Sequence, residues 1–355
     1  MKNNLKYFLL FVLFSNISFA LEINESLRLD GYTNITGLFS NKENSDSFQI
    51  NGGIQGRYQI SDNISFTGHI YFEEANESNN LRDYEEDIKW LYADYYLGEE
   101  STLRLGKFQF PIFTSSEIGT IGYSRTWTEN PINNYGAFGY ENFTGAELLK
   151  NFYYDDFDYS LQLSYGQSEN DLPSLNNNNN ITGKADSIGG ITLKSSNNWL
   201  MLNIGYIRAL SEVSINTQIN FDTQVNINFD MYAIEMQSDL DNFSIKAGYI
   251  TAYLNSIFPN EQRYYTSIEY NHNDLTPYIY YANEKLDFKQ NEQSDLLQTD
   301  FNEVKKYSTG IRYDFNKNIA FKLSYTKQIK TNKYNNNTED QNKGEVFKGA
   351  INVLF

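Results

Sequence analysis

An alternation of apolar and polar side chains with a period of two residues runs along most of this chain and limits what it can fold into. In "NISFTGHIYFEE", Ile64, Phe66, Gly68, Ile70 and Phe72 fall on one face, and Ser65, Thr67, His69, Tyr71 and Glu73 on the other. "FSIKAGYITAY" repeats the pattern with Phe243, Ile245, Ala247, Tyr249, Thr251 and Tyr253. "IAFKLSYTKQ" sets Ile319, Phe321, Leu323 and Tyr325 against Lys322, Ser324 and Thr326. Successive side chains of an extended strand point to opposite sides, so each segment presents one apolar and one polar face. Helical spacing is sustained nowhere, and the chain is predicted to be all-β.

The connectors fix the count. Short turns rich in Asn, Asp, Ser or Gly occur at 61–63, 98–101, 155–158, 195–198, 239–242, 271–274 and 316–318. These are the residues that suit tight turns. Long, irregular, polar stretches lie between them, such as "EEANESNNLRDYEED" and "EKLDFKQNEQSDLLQTDFNE". Seven short turns with both chain ends on their side give eight hairpins, hence about sixteen strands. An even number of strands, short turns at one end and long loops at the other describe a transmembrane antiparallel β-barrel. A soluble β-sandwich would bury its apolar faces against each other and has no need of such a split between connectors.

Aromatic placement points the same way. Tyr58, Phe66, Tyr159, Trp199, Phe243, Tyr270, Tyr313 and Phe321 all lie within a few residues of a short turn. An aromatic girdle at a membrane interface would occupy that level. In the final "VFKGAINVLF", Phe347, Gly349, Ile351, Val353 and Phe355 share one face, which makes Phe355 a lipid-facing ring on the closing strand.

The first twenty residues contain Lys2 and Lys6, an apolar run from Tyr7 to Phe14, and small Ser18 and Ala20 before Leu21. This is the pattern of a secretory signal peptide, and the apolar run is shorter than the ~20 residues of a spanning helix. The expected organisation is a signal over 1–20 and one barrel domain over 21–355. The formal net charge of −17 argues against nucleic acid as a partner, since phosphate would be repelled. There is no cysteine, and the only histidines are His69 and His272. Without paired histidines, a calcium-spaced acidic loop or a G-x-S-x-G stretch, neither an enzyme nor a metal or other cofactor is expected.

The stretch "LRLGKFQFPIFTSSEIGTIGYSRTWTENPINNYGAFGYENFTGAEL" is the longest connector together with its flanking strands, and it is unusually rich in aromatic and apolar residues. Such a loop is expected to pack against something, and in a wide barrel the lumen is available. The alternative is an outward loop that forms an adhesive surface. Charges on the polar faces are candidates for the pore wall: Arg28, Arg57, Arg104, Arg312, Lys246, Lys322 and Lys348, opposed by Asp30, Glu73, Asp94, Glu235 and Glu269. The loop adds Glu117, Arg125 and Glu129. Charged rings at a narrow point set ion preference through their local field. Basic wall residues facing an acidic loop would give a transverse field.

The whole layout resembles the Gram-negative outer-membrane porins, with a leader, about sixteen strands and a terminal Phe. More narrowly, Arg104, Gly106, Lys107, Pro111, Ser116, Glu117, Gly122, Tyr123, Trp127, Pro131, Tyr135, Gly145 and Ala146 resemble the constriction-loop region of a proteobacterial porin-like family. Where that resemblance would place a basic residue and paired prolines, the chain has Thr128, Glu129, Asn130 and a single Pro131, so no anion preference is carried over. The resemblance implies an inward-folded third loop, a passive channel for ions and small hydrophilic solutes, and a homotrimer. It also implies Phe355 as part of the signal read by the barrel-assembly machinery. Expected surroundings are the outer-membrane bilayer and its lipopolysaccharide. The competing function is a binding or adhesion barrel that acts through its long loops.

Overall fold

The computed structural model describes residues 21–40, 47–75, 83–114, 116, 118–132, 141–172, 179–217, 222–254, 259–287, 302–333 and 339–355. A short β1 (Leu21–Asn24) turns into β2 (Leu27–Ser40). Seven hairpins follow: β3 (Ser47–Ser61) with β4 (Ile64–Ala75), β5 (Asp83–Tyr96) with β6 (Ser101–Gln109), β7 (Asn142–Tyr154) with β8 (Phe157–Leu172), β9 (Asn179–Ser196) with β10 (Leu200–Thr217), β11 (Asp222–Leu240) with β12 (Phe243–Leu254), β13 (Asn260–Tyr270) with β14 (Leu275–Asp287), and β15 (Glu303–Asn316) with β16 (Ile319–Lys333). The last strand is β17 (Glu339–Leu354). All seven short turns read from the sequence join these hairpins.

Their chemistry explains where they fall. Asn197 Oδ1 accepts from the backbone N–H groups of Trp199 and Leu200 at 3.1 and 2.8 Å. Asn316 does the same for Asn318 and Ile319, both at 2.8 Å. Asp155, Asp241 and Asn273 adopt left-handed φ values of 57°, 51° and 51°, which short polar side chains tolerate better than most.

From β2 to β17 each strand pairs antiparallel with its sequence neighbours, and β17 returns to β2 through registers from Val346↔Ser40 to Leu354↔Tyr32. The result is a closed ring of sixteen strands, as expected from the turns. Closure leaves no open sheet edge. The additional β1 continues the line of β17 along β2. Phe355 exchanges both backbone hydrogen bonds with Gly31 at 2.7 and 2.9 Å, and Leu21 then sits opposite Leu29.

The outward face carries two aromatic belts. Near the short turns, Tyr58, Phe66, Trp199, Phe243, Tyr270, Tyr313 and Phe321 are exposed. Tyr159 stacks on Phe152 there with centroids 5.0 Å apart. A second belt, which the sequence reading did not identify, lies toward the loops as Tyr206–Tyr232, Tyr281–Tyr307 and Tyr325–Phe347 pairs at 4.9, 5.0 and 4.9 Å. Exposed aliphatics including Ile204, Ile234, Ile268, Ile279, Ile311 and Leu323 fill the band between. An apolar band bounded by two aromatic rows fits a hydrocarbon slab with an interface on each side. β9, β10 and β11, with 18, 18 and 19 residues, exceed the ~9–11 residues a tilted crossing strand needs.

The interior departs from an evenly polar lumen. On β9 to β14, inward positions such as Ile188, Ile207, Phe229, Met231, Ile250 and Leu254 are buried and apolar. They join a hydrophobic cluster with Phe108, Phe110, Ile112, Phe113, Trp127, Ile132 and Phe143.

Candidate functional site

The site grows from a bend in the wall. Gly106, Gly145 and Gly166 stand side by side across β6, β7 and β8. A Cβ on any of them would collide with backbone of a neighbouring strand, and Gly106 has φ 143°. Only glycine permits so close an approach. Beside this bend Phe143 packs edge-on to Phe108 at 4.3 Å and stacks on Phe110 at 4.0 Å. These rings are 1–2% exposed and root the segment that leaves β6 on the inner face of the sheet.

From Phe110 to Ile132 the segment is tied to inward side chains around the ring. Asn203 of β10 donates to the Ile112 carbonyl at 3.0 Å. Glu235 of β11 accepts from the Thr114 N–H at 2.7 Å and from the Tyr265 hydroxyl at 2.8 Å. On β13, Ser267 accepts from the Trp127 indole at 3.0 Å and Glu269 from the Thr126 hydroxyl at 2.7 Å. On β2, Tyr32 donates to the Thr120 hydroxyl at 2.7 Å, while Asn34 donates to the Thr120 carbonyl at 2.8 Å and accepts from the Gly122 N–H at 3.0 Å. Asn352 of β17 donates to the same Asn34 oxygen at 2.9 Å. The described residues of this segment thus share hydrogen bonds with inward side chains of β2, β10, β11 and β13.

At its centre is one 3₁₀ turn, Gly122–Ser124. A side chain at Gly122 would collide with Asn34 and Asn352. Lys322, 2% exposed, aims its ammonium at the carbonyls of Gly122, Arg125 and Trp127, at 2.5, 2.5 and 3.2 Å. Arg312 Nη1 donates to the carbonyls of Tyr123 and Arg125 at 2.7 and 3.0 Å. The Arg312 guanidinium also pairs with Asp314 at 2.7 Å and lies 4.6 Å from the Tyr123 ring centre. Two wall cations thus grip the turn by its backbone oxygens.

The other expected wall residues separate into groups. Arg104 bridges Asp94 and Glu147 at 3.1 and 3.2 Å and lies 4.1 Å from the Tyr92 ring centre, a closed network on the inner wall. Lys246 pairs with Glu269 at 3.0 Å. Lys348 pairs with Glu129, a direct contact between a wall cation and a loop carboxylate. Lys107 reaches Asp87 at 3.4 Å, and Asp87 also holds Lys89 at 3.0 Å. Arg28 pairs with Asp30 at 2.9 Å and Arg57 donates to Tyr96 at 2.6 Å, both exposed at the short-turn mouth. Glu73 accepts from Tyr71 at 3.0 Å. Arg125 donates to the Gly119 carbonyl, and its Nε is buried without a partner among the described residues. Burial lowers the Arg125 guanidinium's pKa and the Glu129 charge works against that, yet a guanidinium stays charged near neutrality. Glu117 and Tyr135 lie outside the described residues.

Sequence reasoning did not single out Asn34, Asn203 or Asn352 as loop anchors. One signal was available: asparagine is depleted in strands, so an Asn on the inward side of an otherwise regular strand asks for a partner. His69 is buried between Tyr32 and Trp90, with ring centres 5.7 and 4.0 Å away, and both its nitrogens lack partners among the described residues.

No protein-family model matches the sequence, and no curated protein matches it. Solved structures do. The outer membrane channel DcaP of Acinetobacter baumannii aligns with TM-score 0.61 and 10% identity, over 95% of this chain and 99% of that one. OmpT, an outer membrane protein of Vibrio cholerae in its trimer form, aligns with TM-score 0.59 and 12% identity, over 93% and 99%. An anion-selective porin from Comamonas acidovorans aligns with TM-score 0.57 and 11% identity, over 93% and 99%. At these identities the likeness is one of fold, and the fold is porin-like.

Proposed function

We propose that this protein is a porin of the bacterial outer membrane, a passive channel for ions and small hydrophilic solutes that works without a cofactor. The reading is supported by the hydrogen bonds that tie described residues of the 110–132 segment to inward side chains of β2, β10, β11, β13, β15 and β16. Such a segment narrows the lumen without severing the wall, and its charged neighbours set the local field. The solute path runs along the side where the inner charges stay partly exposed, past Glu129 with Lys348 and past Asp87 with Lys89 (side-chain exposure 33%, 16%, 44% and 16%). Opposite signs sit close together there, so near-neutral to weakly cation-favouring conduction is expected.

The exterior supports a homotrimer. Over the middle of β17, β2, β3 and β4, between exposed rings such as Phe39, Phe48, Tyr58, Phe66 and Phe347, small or aliphatic outward positions stand together, with Gly349 beside Gly37, Ile351 beside Ile35 beside Ile50, Ile54 beside Ile70, and Gly56 beside Gly68. A patch of glycines and isoleucines lets another copy approach closely, and one structural neighbour is recorded as a trimer. Export by the first twenty residues and recognition of Phe355 during assembly complete the proposal.

Reconstitution into a planar bilayer tests it. Stepwise openings are expected, with a reversal potential across a potassium chloride gradient near zero or slightly on the cation side. A strong anion preference would refute the selectivity. A second reading, a plugged barrel acting through its external loops, is favoured by the apolar packing of the loop against β9 to β14. Electrical silence with retained surface binding would establish that reading in place of the channel.

A further inference from the structure

His69, on the inward face of β4, fills a niche closed on three sides. Tyr32 of β2 and Trp90 of β5 stack on the two faces of its ring, with ring centres 5.7 and 4.0 Å away. On β3, Gly53 turns bare backbone toward the ring edge, where a Cβ would collide with both His69 Nε2 and the Tyr32 ring. A β-bulge shapes the fourth side. His69 stands opposite Trp90 but Ile70 opposite Ile88, so Lys89 is an extra residue in β5. Bulges re-aim side chains in this way. Here Trp90 is buried against His69, while the Lys89 ammonium lies 5.2 Å from the Tyr71 ring centre.

Both nitrogens of His69 are buried without hydrogen-bond partners among the described residues. A neutral imidazole carries one N–H, and an imidazolium carries two and a charge. A buried donor left unmet costs free energy, and a buried unpaired charge costs far more. The charged groups around the niche offer no free acceptor. On β5, Asp87 is held by Lys89 at 3.0 Å and by Lys107 at 3.4 Å, with Glu141 beyond them near the same Lys89. Along β4 itself, Glu73 accepts from the Tyr71 hydroxyl at 3.0 Å and from the Gln49 amide. From the 110–132 segment Arg125 comes within electrostatic reach of Tyr32 and Tyr71, and its neighbour Glu129 is taken by Lys348. On β3 the Gln55 oxygen accepts from the Trp90 indole at 3.1 Å.

One cover of the niche also holds the segment. Tyr32 donates to the Thr120 hydroxyl at 2.7 Å, and Asn34, two residues along β2, accepts from the Gly122 N–H at 3.0 Å. Tyr32 is the more loosely stacked of the two covering rings and Trp90 is tied to Gln55, so Tyr32 is the cover that can lift. We propose that His69 is a proton-operated catch for the 110–132 segment: on taking up a proton its ring displaces Tyr32, breaks the Tyr32–Thr120 bond and frees the 3₁₀ turn. The proton is bound by the released state, where the ring meets water, and excluded from the closed niche. The segment is therefore held at neutral pH and released as pH falls. A change of current in acid rests on the channel reading, whereas the release itself does not.

The test follows the full-length barrel in detergent from neutral pH down through the range in which an imidazole titrates. Hydrogen exchange at the Gly122 amide, corrected for its intrinsic pH dependence, reads the segment. The ring signals of the two histidines, His69 and His272, read the proton by nuclear magnetic resonance. Exchange is expected to rise about tenfold or more as the His69 ring protonates, the equivalent of one buried donor left unmet. His69→Phe, which keeps a flat ring in the stack, should lose that rise. Tyr32→Phe, which keeps the stacked ring and removes the hydroxyl, should exchange faster already at neutral pH. His272→Ala should respond as the parent does. A parent-like rise in His69→Phe overturns the proposal. Should that variant not fold, a parent His69 ring that titrates with no change at Gly122 overturns it equally. Current across planar bilayers is recorded on the same samples. An acid response in exchange without any current leaves the catch standing and removes the channel, while steady current with acid-independent exchange removes the catch alone.

Discussion

A lysine that is 2% exposed and meets three carbonyls instead of a carboxylate is an unusual way to secure a loop. An ammonium has three donors, and Lys322 has one carbonyl for each. Lys322→Met keeps much of the stem and removes those donors. The carbonyls of Gly122, Arg125 and Trp127 then lack this partner, at roughly 1–3 kcal/mol for each that water does not reach. The expected outcome is a folded ring with a loosened loop, seen as noisier single-channel current and a lower thermal midpoint in detergent. Quiet, parent-like current would show that the lysine does not hold the loop. Glu129 gives a second residue-level prediction. Glu129→Gln frees the Lys348 charge, so the reversal potential should move toward anions; an unchanged potential would place the solute path elsewhere. The sequence put Lys322, Arg312 and Lys348 on the inward face, since side-chain alternation is local. It assigned them to solvent because the carbonyls that Lys322 and Arg312 bind arrive from nearly 200 residues away.

At the scale of elements, turns and strands were legible because their causes are local: Asn197 and Asn316 make their own turns, and alternation sets each strand's outer face. The apolar interior of β9 to β14 was harder to see, though β11 carries a signal. Ile227, Phe229, Met231 and Ala233 alternate with Tyr232, Ile234 and Met236, so both faces are apolar there. A strand wet on its inner side would not need that. The glycine row was legible only as single matches at Gly106 and Gly145, and its purpose depends on three strands meeting. Gly145→Val, which would drive a branched side chain into the Tyr165 carbonyl, is expected to cost ~3 kcal/mol or more. Denaturant unfolding in lipid vesicles measures this, and parent-like stability would mean that the bend is not needed.

For the whole molecule, the pairing map has one feature with a bearing on time. Every adjacency from β2 to β17 joins consecutive strands, and only the β17–β2 seam spans the length of the chain. Local pairings form early and at little entropic cost, whereas the seam must bring together residues more than 300 positions apart. Until it does, the protein is a curled sheet with two bare margins, each able to recruit a strand from another molecule. Ile351→Pro, which deletes a backbone donor in that seam, should therefore slow maturation and accumulate heat-unmodified aggregates while leaving the earlier hairpins intact. Normal maturation rates for that variant would place the slow step elsewhere. The hazard is greatest in the interval just before the cylinder shuts.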